Sequence, residues 1–270
     1  MEGNGLMKII LVNIAVFLLA NIFIAALSLN EIRENLVLKY AALPADLSKL
    51  PTRFYTLFTY MFLHLDLIHL LFNMIWLYWM GKIYSDNIGS KRLVSTYILG
   101  GISGGILFLF VLNLFPIFHL NTVLLGASAG VMAVVIGTAV LLPELVVHLL
   151  FIGPVRLKYV ALVIFVITTI LNFSDNTGGK IAHMGGAFYG WLYVVQYKRG
   201  RDFTKLFSVF SSLGGSKMRV AYKKNISDED YNANRKTKQD DVDRILDKIS
   251  KSGYESLTKK EKDFLFSIQK

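Results

Sequence analysis

Six apolar runs, each about the length a helix needs to cross a bilayer, fill most of the first two hundred residues, at roughly 8–27, 67–86, 92–112, 127–142, 157–172 and 180–197. A backbone inside hydrocarbon must satisfy its own N–H and C=O groups, and single runs of this length do so only as helices. The expected fold class is therefore all-α: a polytopic membrane protein with a six-transmembrane-helix bundle over residues 1–199. Hydrophobic residues make up 54% of the chain, more than a soluble domain of this size carries. There is no cysteine, so thiol catalysis and thiolate metal sites are excluded.

An even number of spans puts both ends on one side, and charge selects the side. Lys82, Lys91 and Arg92 lie at or beyond the inner end of the second run, Arg156 and Lys158 flank the start of the fifth, and Lys198, Arg199, Arg201 and Lys205 follow the sixth. The loops at 113–126 and 173–179 carry neither Lys nor Arg. By the positive-inside rule both termini are expected to be cytoplasmic, in a multi-pass protein of a bacterial inner membrane. The mixed loop at 28–66, with Arg33, Lys39, Lys49 and Arg53, is the exception. The first run could serve as a secretory signal, but it is long for an h-region, and its removal would leave an odd number of spans, so it is read as a retained anchor.

The 28–66 loop ends in Phe54, Tyr55, Leu57, Phe58, Tyr60, Met61, Phe62 and Leu63, and is expected to lie in the interface as short aromatic helices. Between the fourth and fifth runs, Pro143, His148 and Gly153-Pro154 mark a re-entrant or interfacial segment. Residues 198–270 hold 18 Lys and Arg against 11 Asp and Glu, +7 of the chain's net +10. That charge suits lipid headgroups before nucleic acid. Within it, 200–240 reads as a flexible basic linker and 241–270 as a small cytoplasmic helical hairpin. Val242, Ile245, Leu246 and Ile249 form one stripe; Thr258 and Glu261 form a capping box ahead of Phe264, Leu265 and Ile268. The hairpin suits an accessory cytoplasmic protein contact.

Against this apolar background a few polar residues stand out. Gly126-Ala127-Ser128-Ala129-Gly130 opens the fourth run and Ala182-His183-Met184-Gly185-Gly186 the sixth. Both runs point inward, so Ser128 and His183 occupy similar depth near the outer face, where polar groups are costly and mark function. A serine hydroxyl needs a base, and neutral imidazole is suited to the task. Gly126 allows close backbone approach at a helix start whose free N–H groups can face an oxyanion. Gly186 and Gly190 form a small-xxx-small face that would hold His183 against another helix. His69 and Asn73, one turn apart on the second run, share a face and can supply two further oxyanion donors. The set lacks the ligand count of a metal site, and neither metal nor cofactor is expected.

In this combination and order the strings resemble those of the rhomboid intramembrane serine proteases, over roughly residues 50–197. The resemblance implies a serine–histidine dyad without an acid, an outward-opening water-filled cavity, and cleavage of transmembrane segments of single-pass or polytopic membrane proteins. By motif position Ser128 is the nucleophile and His183 the base, while His69, Asn73 and the Ser128 backbone N–H stabilise the oxyanion, and His64 helps to order the first loop. Four positions depart from the family pattern: Ala129 stands where glycine is usual, and its methyl would narrow the approach to the oxyanion; Tyr55-Thr56 replaces a Trp-Arg pair; and Met132 replaces an aromatic residue that often stacks on the histidine. The alternative reading is a catalytically inactive rhomboid-like protein that binds transmembrane clients. A small-solute transporter would show an inverted repeat and midplane polar residues, and neither is present.

Overall fold

The computed structural model describes residues 5–26, 34–115, 122–150, 152–171, 176–202, 242–253, 256–258 and 261–262. The chain divides into two compact units, Met1–Gly215 and Ser216–Lys270.

In the first unit a helix occupies each of the six apolar runs. These are α1 (Gly5–Ala26), α5 (Leu67–Ile88), α6 (Ser90–Leu114), α7 (Ser128–Leu141), α8 (Leu157–Phe165, continued by a π-helical turn Val166–Ile170) and α9 (Thr177–Lys198). Local chemistry sets their ends. Asp66 caps α5 by accepting from the His69 N–H at 2.6 Å, and Asn176, at φ 54°, caps α9 by accepting from the Gly179 N–H. Two helices are long and apolar enough by length and composition to cross a membrane, at Gly5–Ala25 and Ser90–Leu114, and a third if α5 is counted with the bent segment before it.

Large apolar side chains face outward, Leu18, Leu19, Ile22, Phe110, Leu162 and Trp191 among them, while Asn13, His64, Asn73, Thr96 and Thr138 are buried. Polar inside and apolar outside is what hydrocarbon demands, and the molecule is a mostly helical membrane protein.

Glycines bring α6, α7 and α9 into backbone contact. A methyl placed on Gly100 would lie 2.2 Å from the Ala133 Cβ, and one on Gly104 would lie 2.6 Å from the Ala129 Cβ and 2.7 Å from the Ala182 carbonyl oxygen. The glycine-rich stretch of α6 is thus the seam on which α7 and α9 close.

The segment between α1 and α5 is built of α2 (Glu34–Ala41), β1 (Leu43–Pro44), a 3-10 turn Leu47–Lys49, α3 (Leu50–Arg53), α4 (Thr56–Thr59) and a 3-10 turn Tyr60–Phe62. Thr56–Phe62 lies at 93° to α5, as expected of short interfacial helices. It is pinned inward: the Tyr60 hydroxyl donates to the Gly101 carbonyl at 2.5 Å, and the Tyr97 hydroxyl to the Met61 carbonyl at 3.2 Å. Arg53 Nη1 donates to the Lys39 carbonyl at 2.9 Å, and Thr56 is buried with its hydroxyl on the Arg53 carbonyl. Loop anchoring therefore passes through Arg53, two residues before the Tyr55-Thr56 departure.

The all-α expectation needs two corrections. β1 pairs antiparallel with β2 (Val123–Leu124), tying the first loop to the approach of α7. The segment after Pro143 is a β-hairpin, β3 (Val146–Leu149) with β4 (Gly153–Arg156). The β-branched pair Val146-Val147 and Gly153, which opens β4 at φ +90°, suit a strand pair in the segment expected to be re-entrant or interfacial. Its tip is strongly exposed, Leu150 at 80% and Ile152 at 72%.

At the other end of the bundle Arg92 binds the Asp202 carboxylate through Nε and Nη2, each at 2.9 Å, and lies over the Tyr197 ring, while the Tyr193 hydroxyl donates to Asp202 at 3.2 Å.

In the second unit a helix covers residues 242–252, with Ile245 buried and Leu246 exposed, so Leu246 leaves the expected stripe. Gly253, at φ +76°, ends it. The capping box is formed: Glu261 accepts from the Thr258 N–H at 2.7 Å, and the Glu261 N–H donates to the Thr258 hydroxyl at 3.4 Å. The expected linker beyond residue 202 and the residues Phe264, Leu265 and Ile268 lie outside the described residues.

Candidate active site

Ser128 is the first residue of α7, behind Ala127 at the cap position, which offers no side-chain cap. The first intrahelical bond runs from the Val131 N–H to the Ala127 carbonyl, so the N–H groups of Ser128, Ala129 and Gly130 have no acceptor within the helix. The Ala127 N–H, one position earlier, is buried and donates to His64 Nε2 at 3.1 Å. That bond makes Nε2 an acceptor and leaves the proton on Nδ1, which faces the Phe62 carbonyl at 3.4 Å. Asn73 Nδ2 also approaches His64 Nε2, at 3.3 Å, committing one of its two N–H bonds and leaving one for a ligand.

Gly126 adopts φ +110° and donates its N–H to the Tyr60 carbonyl at 3.0 Å. A methyl there would sit 2.7 Å from His69 Cε1, so glycine is required both by the left-handed backbone and by the imidazole against it. The His69 ring in turn packs edge-on against His64, with centroids 5.2 Å apart. His64, His69, Asn73, Gly126 and Ala127 thus form one contiguous group at the N-terminus of α7.

His183 is placed by α9. A methyl on Gly186 would lie 2.0 Å from the Ala129 carbonyl oxygen, and one on Gly190 would lie 2.0 Å from that of Ala133. The two helices therefore run parallel, with Gly186 opposite Ala129 and Gly190 opposite Ala133. In this register His183 falls opposite residue 126, so Ser128 and His183 differ by about 3 Å along the shared axis at 1.5 Å per residue.

His183 Nδ1 lies 3.1 Å from the Thr168 carbonyl oxygen. A carbonyl can only accept, so Nδ1 carries the proton and Nε2 keeps its lone pair. Thr168 is in the π-helical turn that ends α8, among the carbonyls a helix leaves unpaired at its C-terminus. Thr168 escaped the sequence reading because its contribution is a backbone oxygen; the Thr168-Thr169 pair at the end of an apolar run was the only trace.

Among the described residues Ser128 and His183 share no hydrogen bond. Such bonds commonly tighten only when substrate is held. The Ala129 methyl is buried against Gly104 of α6, not directed at the mouth of the site, which removes the expected narrowing. Met132 is buried in the core. His148 lies exposed on β3, and His119 is outside the described residues. No group of three or more His, Asp or Glu able to hold a metal occurs among the described residues.

Two stretches of the chain match families of known proteins. Residues 51–199 match the rhomboid domain family, and residues 225–267 match a family of unknown function. The chain is similar to RHOMBOID-like protein 12, mitochondrial, of Arabidopsis thaliana: 28% identical over 162 residues, covering 55% of this chain and 48% of that protein. The chain thus spans about half the length of that relative.

Proposed function

The chain belongs to the rhomboid family, and from that premise we propose that it is an intramembrane serine endopeptidase, with Ser128 as nucleophile and His183 as general base. The observation that carries the reading is the His183 tautomer. With Nδ1–H held by the Thr168 carbonyl, the free lone pair is on Nε2, at the depth of Ser128 and on a helix in backbone contact with α7.

In this reading the chain crosses the bilayer six times, the two shorter helices completed by their flanking segments, and both termini, the basic loops and the C-terminal hairpin lie in the cytoplasm. Depth supports it. α7 has 14 residues, about 21 Å, some 9 Å short of a hydrocarbon core about 30 Å thick. With its C-terminus at the inner face, its N-terminus stops about 9 Å below the outer one. His183 is six residues into the 22-residue α9, again about 9 Å.

His183 Nε2 accepts the Ser128 proton as Oγ attacks a peptide carbonyl, and then returns it to the leaving amine. Charge developing on the carbonyl oxygen meets the Ser128 N–H at the positive end of α7, with His69 and the uncommitted Asn73 N–H as further donors. Water then hydrolyses the acyl-enzyme. A substrate helix satisfies its own backbone amides, so the scissile stretch has to unwind; substrates should carry helix-weakening residues near the outer face.

The test is cleavage of a transmembrane reporter in proteoliposomes by the wild-type chain, Ser128→Ala and His183→Ala, each checked for intact folding. Cleavage lost in both variants supports the dyad. Cleavage surviving in either removes it, and reporter capture without cleavage by any form would favour client binding.

A further inference from the structure

An apolar cavity of about 500 Å³ opens between α1, α6 and the first-loop helices. Its walls include Ile9, Val12, Val16, Phe58, Phe62 and Ile98. The Gly5 end is fixed by a hydrogen bond and close packing: the Gly5 N–H donates to the Ser90 hydroxyl at 2.8 Å, and a methyl on Gly5 would lie 2.6 Å from Val94 Cγ2. Halfway along α1, Asn13 Nδ2 donates to the Tyr97 hydroxyl at 3.1 Å, and Tyr97 to the Met61 carbonyl, binding the first loop to both helices. The groove is therefore held open by contacts on either side of it.

Two features indicate what fills it. The first is length. From Gly5 to Val16 the wall rises about 16 Å at 1.5 Å per residue. That is the depth of one leaflet of a core about 30 Å thick, and about half of what a spanning peptide needs. The second is charge. Among the described residues Lys8 is the only ionisable one lining the groove; it is exposed at the rim and has neither an ion pair nor a hydrogen bond there. A cation at this level is costly until its ammonium reaches the headgroup layer or an anion there, which its four-carbon stem allows.

We propose that this groove is a phospholipid site: one acyl chain, from the leaflet at the Gly5 end of α1, lies along Ile9, Val12 and Val16, with its anionic headgroup held by Lys8. The occupant bridges α1 to the first loop, whose other end carries Tyr60 and the Gly126 contact, so it stabilises the loop that shapes the approach to α7. The site depends on membrane embedding alone and stands whether or not Ser128 is a nucleophile.

Native mass spectrometry of the full-length chain in detergent tests it, with phosphatidylglycerol and phosphatidylcholine of identical acyl chains offered at equal concentration. The wild type should retain the anionic lipid about fivefold more, the worth of one Lys beside a negative surface. Lys8→Gln should bring the two lipids level, Lys8→Arg should preserve the preference, and Val12→Phe, which fills the groove, should lower retention of both. Equal retention by the wild type, or a preference that survives Lys8→Gln, overturns the proposal. So would a Val12→Phe variant that changes oligomeric state with lipid retention intact, since that identifies a second copy of the chain as the occupant.

Discussion

Replacing Gly186 by alanine should disable the site without touching either proposed catalytic residue. The new methyl would be 2.0 Å from the Ala129 carbonyl oxygen, whereas ordinary contacts begin at 3.4 Å, so α9 must part from α7 by the difference, about 1.4 Å. Gly190 makes the same 2.0 Å approach to Ala133 one turn further on, so the helix cannot pivot about that point without another clash. His183 is carried three residues from Gly186, and Ser128 adjoins Ala129, so the separation falls on the dyad. A misplacement of about 1 Å costs on the order of 10²-fold in rate. Overpacking of this kind costs roughly 1–3 kcal/mol, or about 2–12 °C in Tm for a unit of this size. The assay is reporter cleavage in proteoliposomes alongside thermal unfolding, with Gly101→Ala as the comparison. A methyl on Gly101 meets the flexible tip of Met61 at 2.7 Å, which can move aside, so that variant should keep its rate within a few-fold. Gly186→Ala retaining more than half of the wild-type rate, or Gly101→Ala losing as much, would refute the reasoning.

Removing His64 in His64→Ala deprives the buried Ala127 N–H of its acceptor, which should cost about 1–3 kcal/mol and loosen the start of α7; thermal unfolding should show the loss even in Ser128→Ala, where no chemistry is at stake. Asp202→Asn weakens a part-buried pair with Arg92, so the loss should be about 1 kcal/mol and should shrink in high salt, as followed by Tm at two ionic strengths. The Thr258 N–H and hydroxyl and the Lys248 ammonium hold the Glu261 carboxyl down to about 2. Because the folded value lies below the unfolded one, the carboxylate's stabilising contribution is full above the ordinary Glu range and is lost as pH falls towards 2. NMR titration of Glu261 in the full chain should show that low midpoint, and a midpoint near 4.3 would contradict the capping geometry.

The six helices were legible because apolar length is a one-dimensional property of the sequence, and Leu67–Ile88 and Thr177–Lys198 fall close to where hydropathy alone puts them. The β-hairpin was not, since Val146 to Ile152 is equally apolar in either conformation, and strand pairing was decided by the partner residues Gly153–Arg156. At the site, residue types were readable but contacts were not. Ala129 looked like an obstruction until the register placed its methyl on Gly104, and Leu246 looked like part of a stripe until the short terminal helix turned it outward. The Thr168 carbonyl has no side-chain signature at all, because the helix end that exposes it is a property of the fold.

The most direct measurement is fluorophosphonate labelling of the reconstituted full-length chain, with the modified residue found by mass spectrometry. An activated Ser128 attacks phosphorus and expels fluoride, leaving one stable adduct. The predicted result is a single adduct on Ser128, absent from Ser128→Ala and strongly reduced in folded His183→Ala. No adduct on a folded wild-type chain, or labelling of Ser128 that is indifferent to His183, would contradict a Ser128–His183 dyad.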